Sequence, residues 1–316
     1  PRSTQGVSSA ASDVYKRQIS SFFLVGVFST TISQSTYCPE KMLLLQKYKS
    51  KAYENAFGYI DTVLSQCPDQ NGDAYFWHVC GFINLDIFKF IENKKSGSIT
   101  KLKAADCFIK STNLDAEKKY FDLNNKLLDY ISTFYYNDAV KILQKFDMKN
   151  QDNAISYYNS YKKLKGIAHE DYDFSEKDLD FYYGIGNLYK MRYEKDKTNK
   201  SLLDSSINYF NKSLEIDPDQ YSANYNLGIM YHNLGVDIIM EELDVDADLE
   251  MVILMQEQAV NYFSKSLPFL KKVYQMKPQE SSIVQGIAAV YYSLNDMEKH
   301  VEYMNILKEL ESNSEE

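Results

Sequence analysis

The sequence predicts an all-α protein, a solenoid of about six helical hairpins with one hairpin drawn out into an arm. Three observations carry this. A spaced pattern recurs three times in the C-terminal half, its landmarks move together, and Gly and Pro are scarce at 12 and 6 in 316 residues. The first copy runs Tyr182, Ile185, Gly186, Tyr189, Phe210 and Pro218, and the second Leu227, Gly228, Tyr231, Leu270 and Pro278. The third opens with Ile287, Ala288, Tyr291 and Leu294. Gly186 to Gly228 is 42 residues, as is Tyr189 to Tyr231; Tyr231 to Tyr291 is 60, as is Pro218 to Pro278. A small residue on each helix of a hairpin lets the backbones cross closely, and aromatics fill the space around the crossing. Pro then ends the second helix because it offers no amide. No long alternating β-branched run competes with this reading.

The elements follow in order. Residues 1–18 are set aside, because Ser8–Gln18 reads as the translation of a sequencing-library adapter. Ile19–Phe28 and the small residues to Ser33 read as a truncated signal peptide, with Gln34 as the mature terminus. That run is too short for a comfortable membrane span. The alternative is a buried helix of a cytoplasmic protein. Export to the periplasm is the expectation.

Residues 34–114 read as two degenerate hairpins. The first has helices over Pro39–Tyr48 and Ala52–Gln66, which places Cys38 beside Cys67. A disulfide there closes a loop of about thirty residues, worth roughly 3–4 kcal/mol in the chain-entropy model; two free thiols are the alternative. The second has Trp77 and Gly81 on a helix near 73–92, a polar turn at Asn93–Ser98, and Ala104 and Phe108 on a helix near 99–114. Cys80 and Cys107 lie at similar heights on it, and pairing or free thiols are equally open. Residues 115–178 read as a helical connector of two helices, with a break near Asn137–Asp138, Asp152 as a cap and a loop at His169–Ser175.

Residues 179–312 hold the recurring pattern, and 313–316 an acidic tail. The pattern resembles the tetratricopeptide repeat, an aromatic, Leu-Gly and Tyr on one helix, a small residue and an aromatic on the next, then Pro. Against a 34-residue unit the 42-residue spacing carries 8 extra residues and the 60-residue spacing 26. The larger excess sits in an arm over 236–258, whose Met240, Leu243, Met251 and Met255 are expected either to pack within the hairpin or to serve docking or homodimerisation. The resemblance covers 177–312 closely and 38–114 loosely. The long-armed copy is similar to exported tetratricopeptide proteins of Bacteroidetes-type bacteria.

The resemblance implies a scaffold that binds a protein or peptide. Its first helices would line a groove, with Asn187 and Asn226 holding a peptide backbone or carboxylate and Tyr183, Lys190, Tyr225, His232, Gln285 and Tyr292 nearby. The carboxylate clamp of such domains is incomplete, since Tyr183 stands where it needs Lys and Ser282 or Gly286 where it needs a base. An acidic C-terminal tail is therefore not the expected ligand.

Composition narrows the rest. A net charge of −9 disfavours nucleic acid and anionic membranes. Asp244, Asp246 and Asp248 suggest calcium, but Leu249 and Met255 stand where such a loop needs Gly and Glu. His78, His169, His232 and His300 have no metal or catalytic spacing, and Gly184-Ile185-Gly186 is a packing feature. No catalytic residue, metal or cofactor is expected, and no C-x-x-C occurs. The rivals are a glycan-binding module using groove aromatics and an enzyme whose site lies within 115–178.

Overall fold

The computed structural model describes residues 37–242 and 248–314. The adapter-like and signal-like segments, Leu243, Asp244, Asp246 and the last two acids lie outside those residues. Twelve α-helices and no strand occur among the described residues. Consecutive helices pair as six antiparallel hairpins, the tetratricopeptide-like α-solenoid arrangement. The chain divides into two compact units, Pro1–Asn71 and Gly72–Glu316.

In the first unit, α1 (Pro39–Lys49) and α2 (Tyr53–Gln66) form one hairpin. Cys38 caps α1 by accepting the Lys41 amide at 3.3 Å, and Pro39 follows at a position where its missing amide costs nothing. Lys47 and Lys49 sit in the last turn, where the exposed carbonyls favour cations. Leu44, Ala56, Ile60 and Val63 are buried between the helices. Cys38 and Cys67 are joined as a disulfide with Cα atoms 6.1 Å apart, at the place the hairpin reading put them.

The second unit begins with α3 (Ala74–Asp86), continued by a π turn at Ile87–Ile91, and α4 (Ile99–Leu114). Asp73 and Ser98 cap these helices through the amides of Tyr75 and Lys101. Cys80 and Cys107 join them as a second disulfide, Cα atoms 5.8 Å apart. A buried network runs beside it. His78 Nδ1 lies 2.7 Å from Asn124 Oδ1, Asn124 donates to Ser111 Oγ at 3.0 Å, and Ser111 donates to the Ala74 carbonyl at 2.8 Å.

Helices α5 (Phe121–Gln144) and α6 (Gln151–Ala168) form the third hairpin. The break expected near Asn137–Asp138 is absent. Ile131, Tyr135 and Ala139 carry the buried face straight through, and the Asp138 carboxylate accepts from the fully buried Lys101 at 2.5 Å. Nor does Asp152 cap α6. Asn150 holds the cap position, and Asp152 lies exposed in the first turn, where its charge suits the helix dipole instead.

Helices α7 (Ser175–Lys195) and α8 (Lys200–Ile216), α9 (Tyr221–Asp237) and α10 (Leu249–Met276), and α11 (Ser281–Ser293) and α12 (Met297–Ser314) complete the stack. At the crossing of α7 with α8, a Cβ on Gly186 would sit 3.0 Å from the Phe210 ring. At the next crossing a Cβ on Gly228 would sit 2.6 Å from Leu270. Both glycines are there for close approach rather than for backbone freedom.

Helix α9 runs on through a π turn at Ile238–Glu242, and α10 starts at Leu249 with Asp248 capping through the Met251 amide at 2.8 Å. Asp248 is thus a helix cap. Ile238 in the arm is buried in one core with Ala259 and Phe263 just beyond it, and Met255 packs against that core. Met240 and Met251 are exposed instead, Met240 by 76%.

Candidate functional site

The first helices of the last three hairpins carry equivalent residues at equivalent turns. Tyr183 and Lys190 on α7, Tyr225 and His232 on α9, and Gln285 and Tyr292 on α11 are each seven residues apart, two helical turns along one face. From α7 to α9 each pair shifts by 42 residues and from α9 to α11 by 60, the repeat offsets themselves.

The structure gives these residues unequal freedom. Tyr183 is half-buried with its ring 6.0 Å from Phe210, so it is largely a packing group. Lys190 donates to Asn226 Oδ1 at 3.0 Å and lies 3.6 Å from Glu194. That contact brings α7 and α9 together on this face. Asn226 is buried, and its Nδ2 donates to the Ser222 carbonyl at 2.8 Å. Its amide is therefore spent at both ends on the protein itself.

Asn187, one turn before Lys190, differs. Its half-buried side chain makes no hydrogen bond among the described residues and stays open to solvent. Tyr225 stacks on Tyr221 at 6.2 Å, and the Lys277 ammonium sits 4.3 Å from the Tyr221 ring. His232 lies 5.6 Å from Phe263, and burial pushes its pKa below 6.5, with Asn233 opposing weakly. Gln285 is exposed, and Tyr292 is 63% exposed with His300 5.4 Å from its ring. The face is thus amphipathic, made of amides, an imidazole and phenol rings, with the Lys190 charge met by Glu194. It suits hydrogen bonding to a backbone more than neutralising a charge.

Sequence reading missed a second polar cluster, between α5, α6 and α7. Tyr158 donates to Asp178 at 2.7 Å while stacking on Phe181 at 3.8 Å, and Lys162 reaches Asp178 at 2.7 Å. Lys165 pairs with Asp129 at 2.5 Å, and His169 Nε2 lies 3.4 Å from the same carboxylate. Every charge there has a partner within the cluster, which reads as a clamp holding three helices. The partners stand 16 to 40 residues apart in sequence, and no local motif marks them.

No protein-family model matches the chain. A curated relative, the Photosystem I assembly protein Ycf3 of Acaryochloris marina (strain MBIC 11017), is 25% identical over 162 residues. That alignment covers 48% of this chain and 85% of the relative. Among solved structures, the MamA protein is 17% identical with a TM-score of 0.31, over 74% of this chain and 92% of that one. PilW, a widely conserved type IV pilus biogenesis factor, is 12% identical with a TM-score of 0.30, over 85% of this chain and 90% of that one.

Proposed function

We propose that this protein is a non-catalytic interaction scaffold of the cell envelope, holding an extended segment of a partner protein against the first helices of its last three hairpins. The observation that carries this is Asn187. It offers an unspent amide on a face where Gln285 and Tyr292 are also exposed and where Asn226 is already satisfied. An extended peptide needs such amides, because its own backbone groups lose water on docking. The likeness to a protein whose name gives it an assembly role accords with a scaffold. Export is supported by two disulfides, which persist in oxidising compartments. No described helix is long and apolar enough to cross a membrane.

The test is selection of peptides from a random display library on the full chain, followed by titration against Asn187→Ala and Tyr292→Ala. Peptides should be enriched, and each substitution should weaken them about ten-fold, the scale of one lost hydrogen bond. Absence of any enriched peptide, with retention on polysaccharide that Tyr292→Ala abolishes, would replace this reading with a glycan-binding one.

A further inference from the structure

The arm presents a second surface that the first-helix face does not explain. On α10, Met255, Ala259 and Phe263 share the side turned into the hairpin; Ala259 and Phe263 are buried and Met255 packs against the same core. The adjoining side carries Leu249, Ile253 and Val260, spaced at i, i+4 and i+11, and they are 75%, 48% and 46% exposed. Leu249 to Val260 spans about 17 Å at 1.5 Å per residue, three turns of a helix. Glu250 and Glu257, seven residues apart, rim the far edge of this stripe. Scattered exposed apolar residues are ordinary, but an aligned stripe with a charged rim is the form of a helix-docking surface.

Charge selects the occupant. Between Lys212 and Lys265 the sequence has eleven Asp and Glu and no Lys or Arg. Two of these acids are paired from outside that span, Asp237 at the base of the arm with Lys197 and Asp219 with Lys272. A second copy of this chain would bring an equally acidic stripe against the first, and like charges across an interface cost several kcal/mol. Anionic lipid and nucleic acid are opposed for the same reason. An apolar ridge with a basic rim meets both demands. The geometry points to a docking site on the outward face of α10 for a cationic amphipathic helix of a partner protein.

The test uses the full chain and a fluorescein-labelled 14-residue Leu/Lys amphipathic peptide, with a Leu/Glu peptide of the same length as control. Anisotropy titrations compare the parent with Glu250→Lys/Glu257→Lys and with Ile253→Ser/Val260→Ser, all exposed positions, each checked for unchanged helicity and melting. The parent should bind the Leu/Lys peptide and ignore the Leu/Glu one. Charge reversal should weaken Leu/Lys binding by about ten-fold or more, and added salt should do the same. The serine variant should lose binding, while Asn187→Ala keeps it. Equal affinity of all three proteins, no binding by the parent, or equal binding of the Leu/Glu peptide would overturn the site. So would a parent dimer in sedimentation equilibrium that the serine variant abolishes, since a second copy would then be the occupant.

Discussion

The hydroxyl of Ser206 on α8 donates to the carbonyl of Gly186 on α7 at 3.0 Å, and both residues are fully packed. The same bond recurs one repeat later, from Ser266 to Gly228 at 2.7 Å. Each glycine removes a side chain so that the second helix can approach, and each serine uses that closeness to reach a mid-helix carbonyl. The contact therefore fixes the rotation and height of one helix on the other, which apolar packing alone does not.

At the second crossing the two halves of this device separate by size. Ser266→Ala should cost about 1 kcal/mol, the net worth of one neutral hydrogen bond. Gly228→Ala should cost about 2 kcal/mol. Alanine's helix propensity returns up to about 1 kcal/mol, but the new Cβ would meet Leu270 at 2.6 Å from Cδ2, 2.8 Å from Cγ and 3.4 Å from the backbone nitrogen. Turning the Leu270 methyl groups away does not relieve the 2.8 Å approach to Cγ, which sits nearer the backbone. Urea unfolding of the two variants, with equal slopes, checks the order; a Gly228→Ala variant as stable as the parent would refute the crossing described here.

Removing the first disulfide should act locally. Cys38→Ser/Cys67→Ser should lower the stability of the α1–α2 hairpin by about 3–4 kcal/mol in the chain-entropy model. Amide exchange in Pro39–Gln66 should accelerate while α7–α12 keep their protection. Alkylation of the unreduced, denatured parent should label no cysteine, and four after reduction, because the described chain holds no free thiol.

Acidification should weaken the fold through His78. Burial pulls its pKa below the ordinary 6.5, against smaller opposing effects of the Asn124 hydrogen bond and the Asp115 charge. The unfolded chain then takes up the proton first, so stability is intact above 6.5 and falls as pH drops through 6.5 toward the lowered native value. His232 is shifted the same way, also by burial. In a His78→Gln variant the loss of stability between pH 7.5 and pH 5 should be smaller than in the parent, measured as urea midpoints.

Lys101 and Asp138 should behave as a unit. Lys101 Nζ is fully buried 2.5 Å from the Asp138 carboxylate and 4.0 Å from the Tyr135 ring centre. Asp138→Ala strands a buried cation and should cost about 3 kcal/mol or more. Lys101→Met/Asp138→Leu should come much closer to the parent, because both desolvation costs vanish together. Thermal melts of the single and double variants decide it.

The readable parts of the sequence were those where the crossing device is local. Gly186 with Phe210 and Gly228 with Leu270 announce their hairpins because each glycine stands three residues before a Tyr and each bulky partner eight residues before a Pro. The hairpin of α5 and α6 has no such glycine; its facing helices bury Ala139, Ala154 and Tyr158 instead, residues that any helix can carry. Asn137 and Asp138 read as a break because polar pairs favour turns, whereas Asp138 is held in the helix by a lysine 37 residues earlier. On the first-helix face, Asn187 and Asn226 stand 39 residues apart rather than the 42 of the repeat, and spacing alone does not rank the two amides. Only three-dimensional contacts with Ser222 and Lys190 show that one amide is spent and the other is not.

The lysine-free arm also decides how this protein can be handled at the bench. Trypsin finds no cleavage site from Ser213 to Ser264, so the whole arm leaves within one peptide of 53 residues ending at Lys265. Amine-reactive crosslinkers find no attachment point along the same stretch. A partner seated there would go unrecorded in a standard lysine-based interaction map, and a carboxylate-directed reagent with a protease that cuts beside acids is what would reveal it.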